Sequence, residues 1–267
     1  MEQTSRYYEA ESMFHGSIPH AMGSRFDALL FAPRREVVEG LWGEITALIE
    51  ELDSRLNRFS PTSEVSHINH AEVGQIQPLS EEVERLLQLG EAYYRQTEGL
   101  FDITLGGFDA LTFGEGAICR HRTEVMLDFG GIAKGYVLRE VKQRLQAVGI
   151  GQAFVDFGGS SILGLGSHPY GEGWQVELTS PYDGRLLERF TLRDESLSTS
   201  GNTPTYHGHI CHPKRGERCE DRRVVAVKSP DPLDAEVLST AWMIASEQEQ
   251  QQMRKHFGSV EPVIYNL

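Results

Sequence analysis

Between Leu127 and Tyr136 the chain reads LDFGGIAKGY. Glu124–Phe129 is apolar enough to predict a short strand, Gly130 and Gly131 turn the chain, and a helical pattern runs from about Ala133 to Ala147. Glycines let backbone approach a phosphate closely, and the free N–H groups at a helix start favour an anion. Lys134, in the first helical turn, adds positive charge. The spacing is neither that of a Walker loop nor that of a dinucleotide fingerprint. Taken alone, the stretch also reads as an ordinary tight strand-to-helix turn.

Outward from this stretch the pattern stays mixed. Gly149 and Gly151 end the helix, and Ala153–Phe157 predicts a strand that stops at Gly158-Gly159. The segment FVDFGGSSILGLG, Phe154–Gly166, reads either as a close backbone approach to a ligand or as a barrel-like bend. From Trp174 to Lys228 a run of strands is expected, with turns at Pro181–Gly184 and Lys214–Gly216. Asp231-Pro232 then caps a helix whose inner face carries Val237, Leu238, Ala241 and Trp242. On the N-terminal side, Arg25–Phe31 reads as a strand. Val37, Val38, Leu41, Ile45, Leu48, Ile49, Leu52 and Leu56 mark one long amphipathic helix, and Ser80 caps another that runs to about Gln96. Residues 1–20 are polar and aperiodic and are expected to form a flexible arm, which leaves 21–267 as one domain. Strands cluster instead of alternating with helices. The expected class is therefore α+β, with mostly antiparallel sheets flanked by helices, not a doubly wound parallel sheet.

Composition narrows the function by exclusion. The 267 residues carry 39 Asp plus Glu against 25 Lys plus Arg, a formal net charge of −14, so nucleic acid is not the expected partner. No apolar run reaches the length of a membrane span, so no membrane insertion is expected. The start, MEQTSRYYEAESMF, lacks the features of a signal peptide. The cysteines Cys119, Cys211 and Cys219 are odd in number and widely spaced, which suits a reducing compartment. A cytoplasmic protein is expected.

Three further stretches can carry chemistry. In DAEVLSTAW, Asp234–Trp242, helical spacing puts Glu236 and Thr240 on one face. A carboxylate plus a hydroxyl suits Mg²⁺, with Asp234 as a competing ligand. The same acids also suit a helix N-terminus without any metal. In YHGHICHPKRGERC, Tyr206–Cys219, the residues His207, His209, Cys211, His212 and Cys219 match no common zinc spacing, and a single histidine in acid–base work is the preferred reading. In LNRFSPTSEVSHIN, Leu56–Asn69, and TEGLFDITLGGF, Thr97–Phe108, the aromatics Phe59 and Phe101 read as core residues or as platforms for a flat ligand. Asp102 could accept from a base or ribose.

The order of these stretches carries a resemblance. MGSRFDALLF, RFSPTSEVSHIN, EGLFDITLGGF, LDFGGIAKGY, VDFGGS, STSGN, HICHPKRGE and AEVLSTAW, from about Met22 to Ala245, are similar in order to the ApbE-type FAD:protein FMN transferases. The resemblance implies an α+β domain with a nucleotide-binding cleft. It implies an enzyme that uses Mg²⁺ to cleave the FAD pyrophosphate, attaches FMN through a phosphoester to a Thr or Ser of an acceptor flavoprotein, and releases AMP. Relatives that only hydrolyse FAD, and a flavin-binding module without catalysis, are the alternatives. Carried over residue by residue, Met22, Phe59, Leu100, Phe101, Asp102, Asp128, Lys134 and Ile210 are implied FAD contacts. The backbone carbonyl of Gly131 with the side chains of Glu236 and Thr240 is the implied metal set, and His209 the implied base. The chain departs from the family pattern at Glu236 and His212, each in place of aspartate, and at Ser160, in place of asparagine.

Overall fold

The computed structural model describes every residue except Met1, Ser259 and Glu261. The chain opens with strands β1 (Thr4–Tyr8), β2 (Met13–Ala21) and β3 (Ser24–Phe31), followed by helices α1 (Arg35–Leu56) and α2 (Glu64–His70). Strand β4 (Ile76–Pro78), helix α3 (Glu81–Gln96) and strands β5 (Leu111–Gly114) and β6 (Ala117–Arg120) come next. Helix α4 (Ala133–Ala147) precedes β7 (Ala153–Phe157), β8 (Ser161–Leu165), β9 (Trp174–Thr179), β10 (Leu186–Leu192), β11 (Glu195–Gly201) and β12 (Arg223–Ser229). Helices α5 (Pro232–Ile244) and α6 (Glu247–His256) and strand β13 (Pro262–Asn266) close the fold.

Eight strands make one sheet in the order β1-β2-β3-β7-β8-β11-β12-β13, and every adjacent pair is antiparallel. A three-stranded sheet, β4-β6-β5, and the β9–β10 hairpin stand apart from it. This is the α+β class expected from the clustered strands. Helices α1, α4 and α5 cover one face and share its core, where Trp242, Tyr136, Phe14, Phe26 and Ile45 are fully buried. The β9–β10 hairpin covers part of the other face over a smaller cluster of Ile162, Trp174, Leu192, Leu197 and Ala226. Alternation along β11 therefore sends Leu197 to the hairpin side and Ser196, Ser198 and Ser200 toward α5. The caps fall where expected: the Ser80 hydroxyl accepts from the Val83 N–H, and the Asp231 carboxylate accepts from the Leu233 N–H.

Two expectations are corrected. Residues 1–20 are not a flexible arm, because β1 and β2 belong to the main sheet and Phe14 and Ile18 are fully buried. Their alternation is masked by Gly16, which points inward between them; a Cβ there would lie 2.6 Å from the Trp42 ring, so a glycine occupies an apolar position. Glu124–Phe129 is not a strand: Glu124 is in a turn and Val125–Phe129 have no regular structure. Val125, Leu127 and Phe129 do alternate into the core. The backbone partners, however, are not a neighbouring strand: the Leu127 N–H donates to Asn69 Oδ1 at 2.7 Å, the Asn69 amide donates to the Leu127 carbonyl at 2.9 Å, and the Asp128 N–H donates to the Ile103 carbonyl at 2.7 Å.

Candidate active site

Helix α4 begins without a side-chain cap, and the Ile132 and Ala133 N–H groups at that end both donate to the Phe129 carbonyl, at 3.1 and 2.9 Å. It crosses α5 very closely at Gly135, where a Cβ would lie 2.5 Å from Glu236 Cβ and 2.9 Å from the Pro232 carbonyl oxygen. Only glycine permits that approach. The crossing brings Lys134 against Glu236: the ammonium donates to Glu236 Oε1 at 2.5 Å. The other carboxylate oxygen, Oε2, accepts from Ser161 and, at 2.9 Å, from Ser198. Glu236 is only 4% exposed, and these donors offset much of the cost of burying its charge.

Behind Glu236, a chain of hydroxyls reaches Thr240. Ser239 lies 3.2 Å from Ser198 and 2.8 Å from Ser200, and Ser200 lies 3.3 Å from Thr240 Oγ1. Thr240 in turn faces the glycine turn, since a Cβ on Gly131 would sit 3.8 Å from Thr240 Oγ1 and 3.1 Å from the Phe101 ring. Five of the residues singled out in the sequence, Phe101, Gly131, Lys134, Glu236 and Thr240, thus converge from three distant segments. The Glu236 carboxylate and the Thr240 hydroxyl are hard oxygen donors of the kind that suits Mg²⁺. Among the described residues, no three histidine, cysteine or carboxylate side chains come together, so a cation here would rest on one carboxylate and neutral oxygens, completed by a ligand's phosphates. Among the described residues, Glu236 Oε1 has a single partner and keeps a lone pair for it. The donor set fits the ion.

A second group forms the rim. Asp128 accepts from the Gly130 N–H at 2.8 Å and pairs with Arg58 at 3.2 Å. The Arg58 guanidinium lies 4.6 Å from the centroid of the Phe59 ring, and Phe59 is 82% exposed. A phenyl ring held by a cation on one face and open to solvent on the other is not a core residue. Met22 sits in the β2–β3 turn at φ +48°, with its N–H toward Asp53 on the last turns of α1, just before the loop that carries Phe59. Leu100 is buried. Asp102 is buried and already engaged, accepting from the Thr104 N–H and hydroxyl at 2.7 and 2.6 Å and from the Gly106 N–H at 3.0 Å. Its carboxylate shapes its own loop.

The segment between β11 and β12 carries the histidines. Its Pro213 carbonyl packs against Gly106 and its Lys214 against Gly99, so it lies over the loop that holds Asp102. His209 stacks on Tyr206 with ring centroids 4.1 Å apart and makes no hydrogen bond among the described residues. Desolvation of that ring holds its pKa below the ordinary 6.5. Ile210 is buried, and its carbonyl accepts from the Cys219 N–H at 2.8 Å. His212 is 3% exposed and bonds Glu249 on α6 at 3.2 Å, while its Nδ1 accepts from the Lys214 N–H at 3.3 Å. The histidine that replaces an aspartate therefore latches the segment to α6.

The sequence reading missed Arg58 and the serines Ser161, Ser198, Ser200 and Ser239. A signal for the serines existed: Ser196, Ser198 and Ser200 recur at period two in a strand, a polar stripe on a face that should be apolar. Ser160, singled out instead of Ser161, faces the other way and lines a separate concavity of about 320 Å³ with Phe154, Asp156, Gln175, Glu177 and Thr199.

Solved flavin transferases share this fold. The flavinyl transferase ApbE of Pseudomonas stutzeri superposes with a TM-score of 0.80 over 100% of this chain and 90% of that one, at 24% identity. The flavin transferase ApbE of Vibrio cholerae gives 0.80 over 99% and 94%, at 21% identity. Among curated proteins, the FAD:protein FMN transferase of Vibrio cholerae serotype O1 is 25% identical over 77% of this chain and 73% of its own. That of Klebsiella pneumoniae is 26% identical over 76% and 74%. These relatives place the chain among enzymes of the transferase class. The sequence profile of the ApbE family matches residues 22–117 and 107–264, and the chain belongs to that family. Among the described residues, no helix is long and apolar enough to cross a membrane.

Proposed function

We propose that this chain is a cytoplasmic, Mg²⁺-dependent FAD:protein FMN transferase that cleaves the FAD pyrophosphate and joins FMN to a Thr or Ser hydroxyl of an acceptor flavoprotein. The observation that carries this reading is the meeting of Lys134, Glu236 and Thr240 at the uncapped start of α4. Pyrophosphate cleavage needs an anion cradle, a cation at the transferred phosphorus and a base near the nucleophile. The Lys134 ammonium at the start of α4 supplies the positive charge of the cradle, and the pair with Glu236 holds that ammonium in place. Gly131, Glu236 and Thr240 would hold Mg²⁺, which when bound neutralises charge on the transferring phosphoryl group. Phe59, backed by Arg58, offers an open ring face for stacking, with Met22, Leu100, Phe101, Asp102, Asp128 and Ile210 as the remaining FAD contacts or their supports. His209 accepts the proton of the acceptor hydroxyl as its oxygen bonds to the FMN phosphorus, the pyrophosphate P–O bond breaks, and AMP leaves. A desolvated imidazole is neutral at pH 7, the form a base requires.

Purified protein incubated with FAD and Mg²⁺, with and without a flavoprotein carrying a candidate acceptor threonine, tests this directly. The expected result is AMP release with a mass gain of one FMN on the acceptor, lost on omission of Mg²⁺ and in Thr240→Ala. FAD binding without any AMP would overturn the reading; AMP and free FMN without an adduct on any acceptor would replace it with a hydrolase.

A further inference from the structure

Glu236 is one methylene longer than the aspartate of the family pattern, and its surroundings decide where the extra length goes. The stem is pressed against α4, because Gly135 leaves Glu236 Cβ and Cγ no room on that side: a Cβ at Gly135 would meet them at 2.5 and 3.2 Å. The carboxylate extends instead toward the sheet. There the register pairs Ser198 of β11 directly with Ser161 of β8. Directly opposed residues of an antiparallel pair point to the same face. The two hydroxyls therefore stand side by side beneath α5, buried to 3% and 1% exposure. Both donate to the same oxygen, Glu236 Oε2. The Ser239 hydroxyl, which donates to the Glu236 carbonyl at 2.9 Å, lies 3.2 Å from that of Ser198, so α5 closes over the serine pair from the helix side.

We propose that Ser161 and Ser198 are positioning residues for Glu236. Together they anchor Oε2 on the sheet and turn Oε1 toward Lys134 and the cation, which makes a glutamate workable where the family pattern has an aspartate. This rests on the reading of Glu236 as a cation ligand. Without the serines the longer side chain keeps its charge but loses its orientation. An aspartate at the same position is too short to reach the serine pair and needs no such anchor. The coupling is thus specific to glutamate, which separates it from a general packing role for two buried serines.

The test uses the full chain and Mn²⁺ alone, with bound metal measured as the loss of the free Mn²⁺ paramagnetic resonance signal and with Mg²⁺ as competitor. Ser161→Ala and Ser198→Ala are each expected to weaken Mn²⁺ binding by about tenfold, the order of one hydrogen bond to a charged group. In the Glu236→Asp background the same substitutions are expected to change affinity less than about twofold. Ser198→Cys, nearly isosteric but a weak donor, is expected to behave like alanine. Equal losses in the parent and Glu236→Asp backgrounds, or no loss in either, would overturn the inference, and thermal melts of each variant show whether the fold is retained. Loss of Mn²⁺ in Thr240→Ala with no effect of the serines would sink the positioning role alone. Mn²⁺ binding that is absent, or unmoved by Thr240→Ala, would sink the cation reading and the inference with it.

Discussion

Replacing Gly135 by alanine sets two effects of opposite sign against each other. In an unobstructed helix the change favours folding by about 0.5–1 kcal/mol, because alanine has less backbone entropy to lose. At Gly135 the new methyl would stand 2.5 Å from Glu236 Cβ and 2.9 Å from the Pro232 carbonyl oxygen, against ordinary contacts of about 3.5–4 Å. Neither neighbour is the free end of a flexible side chain, so α4 and α5 must part by about 1 Å. Overpacking of this kind costs about 1–3 kcal/mol, and the clash wins. The expected net loss is about 1–2 kcal/mol, a fall in Tm of about 2–8 °C for a domain of this size. Gly40→Ala on α1 is the matched control: nothing lies within 4 Å of its added Cβ, and that variant is expected to gain stability. Denaturant titration of both variants measures the sign. The functional consequence is larger than the thermal one, since parting the helices moves Glu236 away from Lys134, and FAD turnover is expected to fall by tenfold or more at about one RT ln 10 of lost positioning. A Gly135→Ala protein as stable as Gly40→Ala, or fully active, would refute the claim that this crossing sets the site.

Other outcomes follow from the same geometry. Because the His209 pKa is lowered, the neutral base is lost only as pH falls through a value below 6.5, so kcat should be flat above that and decline below it. His209→Asn should remove this acid limb and slow turnover while leaving FAD affinity within about twofold. Phe59→Ala should leave Tm unchanged, since an 82% exposed ring contributes little to the core, yet weaken FAD binding by about tenfold if stacking is its role; thermal melts and fluorescence titration with FAD read the two effects. Burial alone would raise the Glu249 pKa, but bonds from the Ser246 hydroxyl and N–H and from His212 outweigh it and bring it to about 2. A depressed carboxylate contributes stability above its unfolded value of 4.5 that is lost as pH falls toward about 2. Glu249→Gln should therefore be less stable than the parent at pH 7, with the gap closing in acid melts.

Much of this protein was legible in its sequence because its elements are locally encoded. The apolar period of α1, the Ser80 and Asp231 caps, and the strand–glycine–helix stretch around Lys134 each depend on residues a few positions apart. The pairing of Glu236 with Thr240 needs only helical spacing. The order of the motifs sufficed for the family. What lay beyond local reading depended on contacts between distant segments. Gly16 hid a strand because Trp42 fills the space of its missing side chain. Glu124–Phe129 has the alternation of a strand but finds Asn69 and Ile103 instead of a neighbour. The serine pair under Glu236 exists only because β8 and β11 align Ser161 with Ser198, and Phe59 stays at the surface with Arg58, paired to Asp128, over one face of its ring. Periodicity reports which face of an element is buried; which partner meets that face is decided when the sheet register and the helix crossing are set.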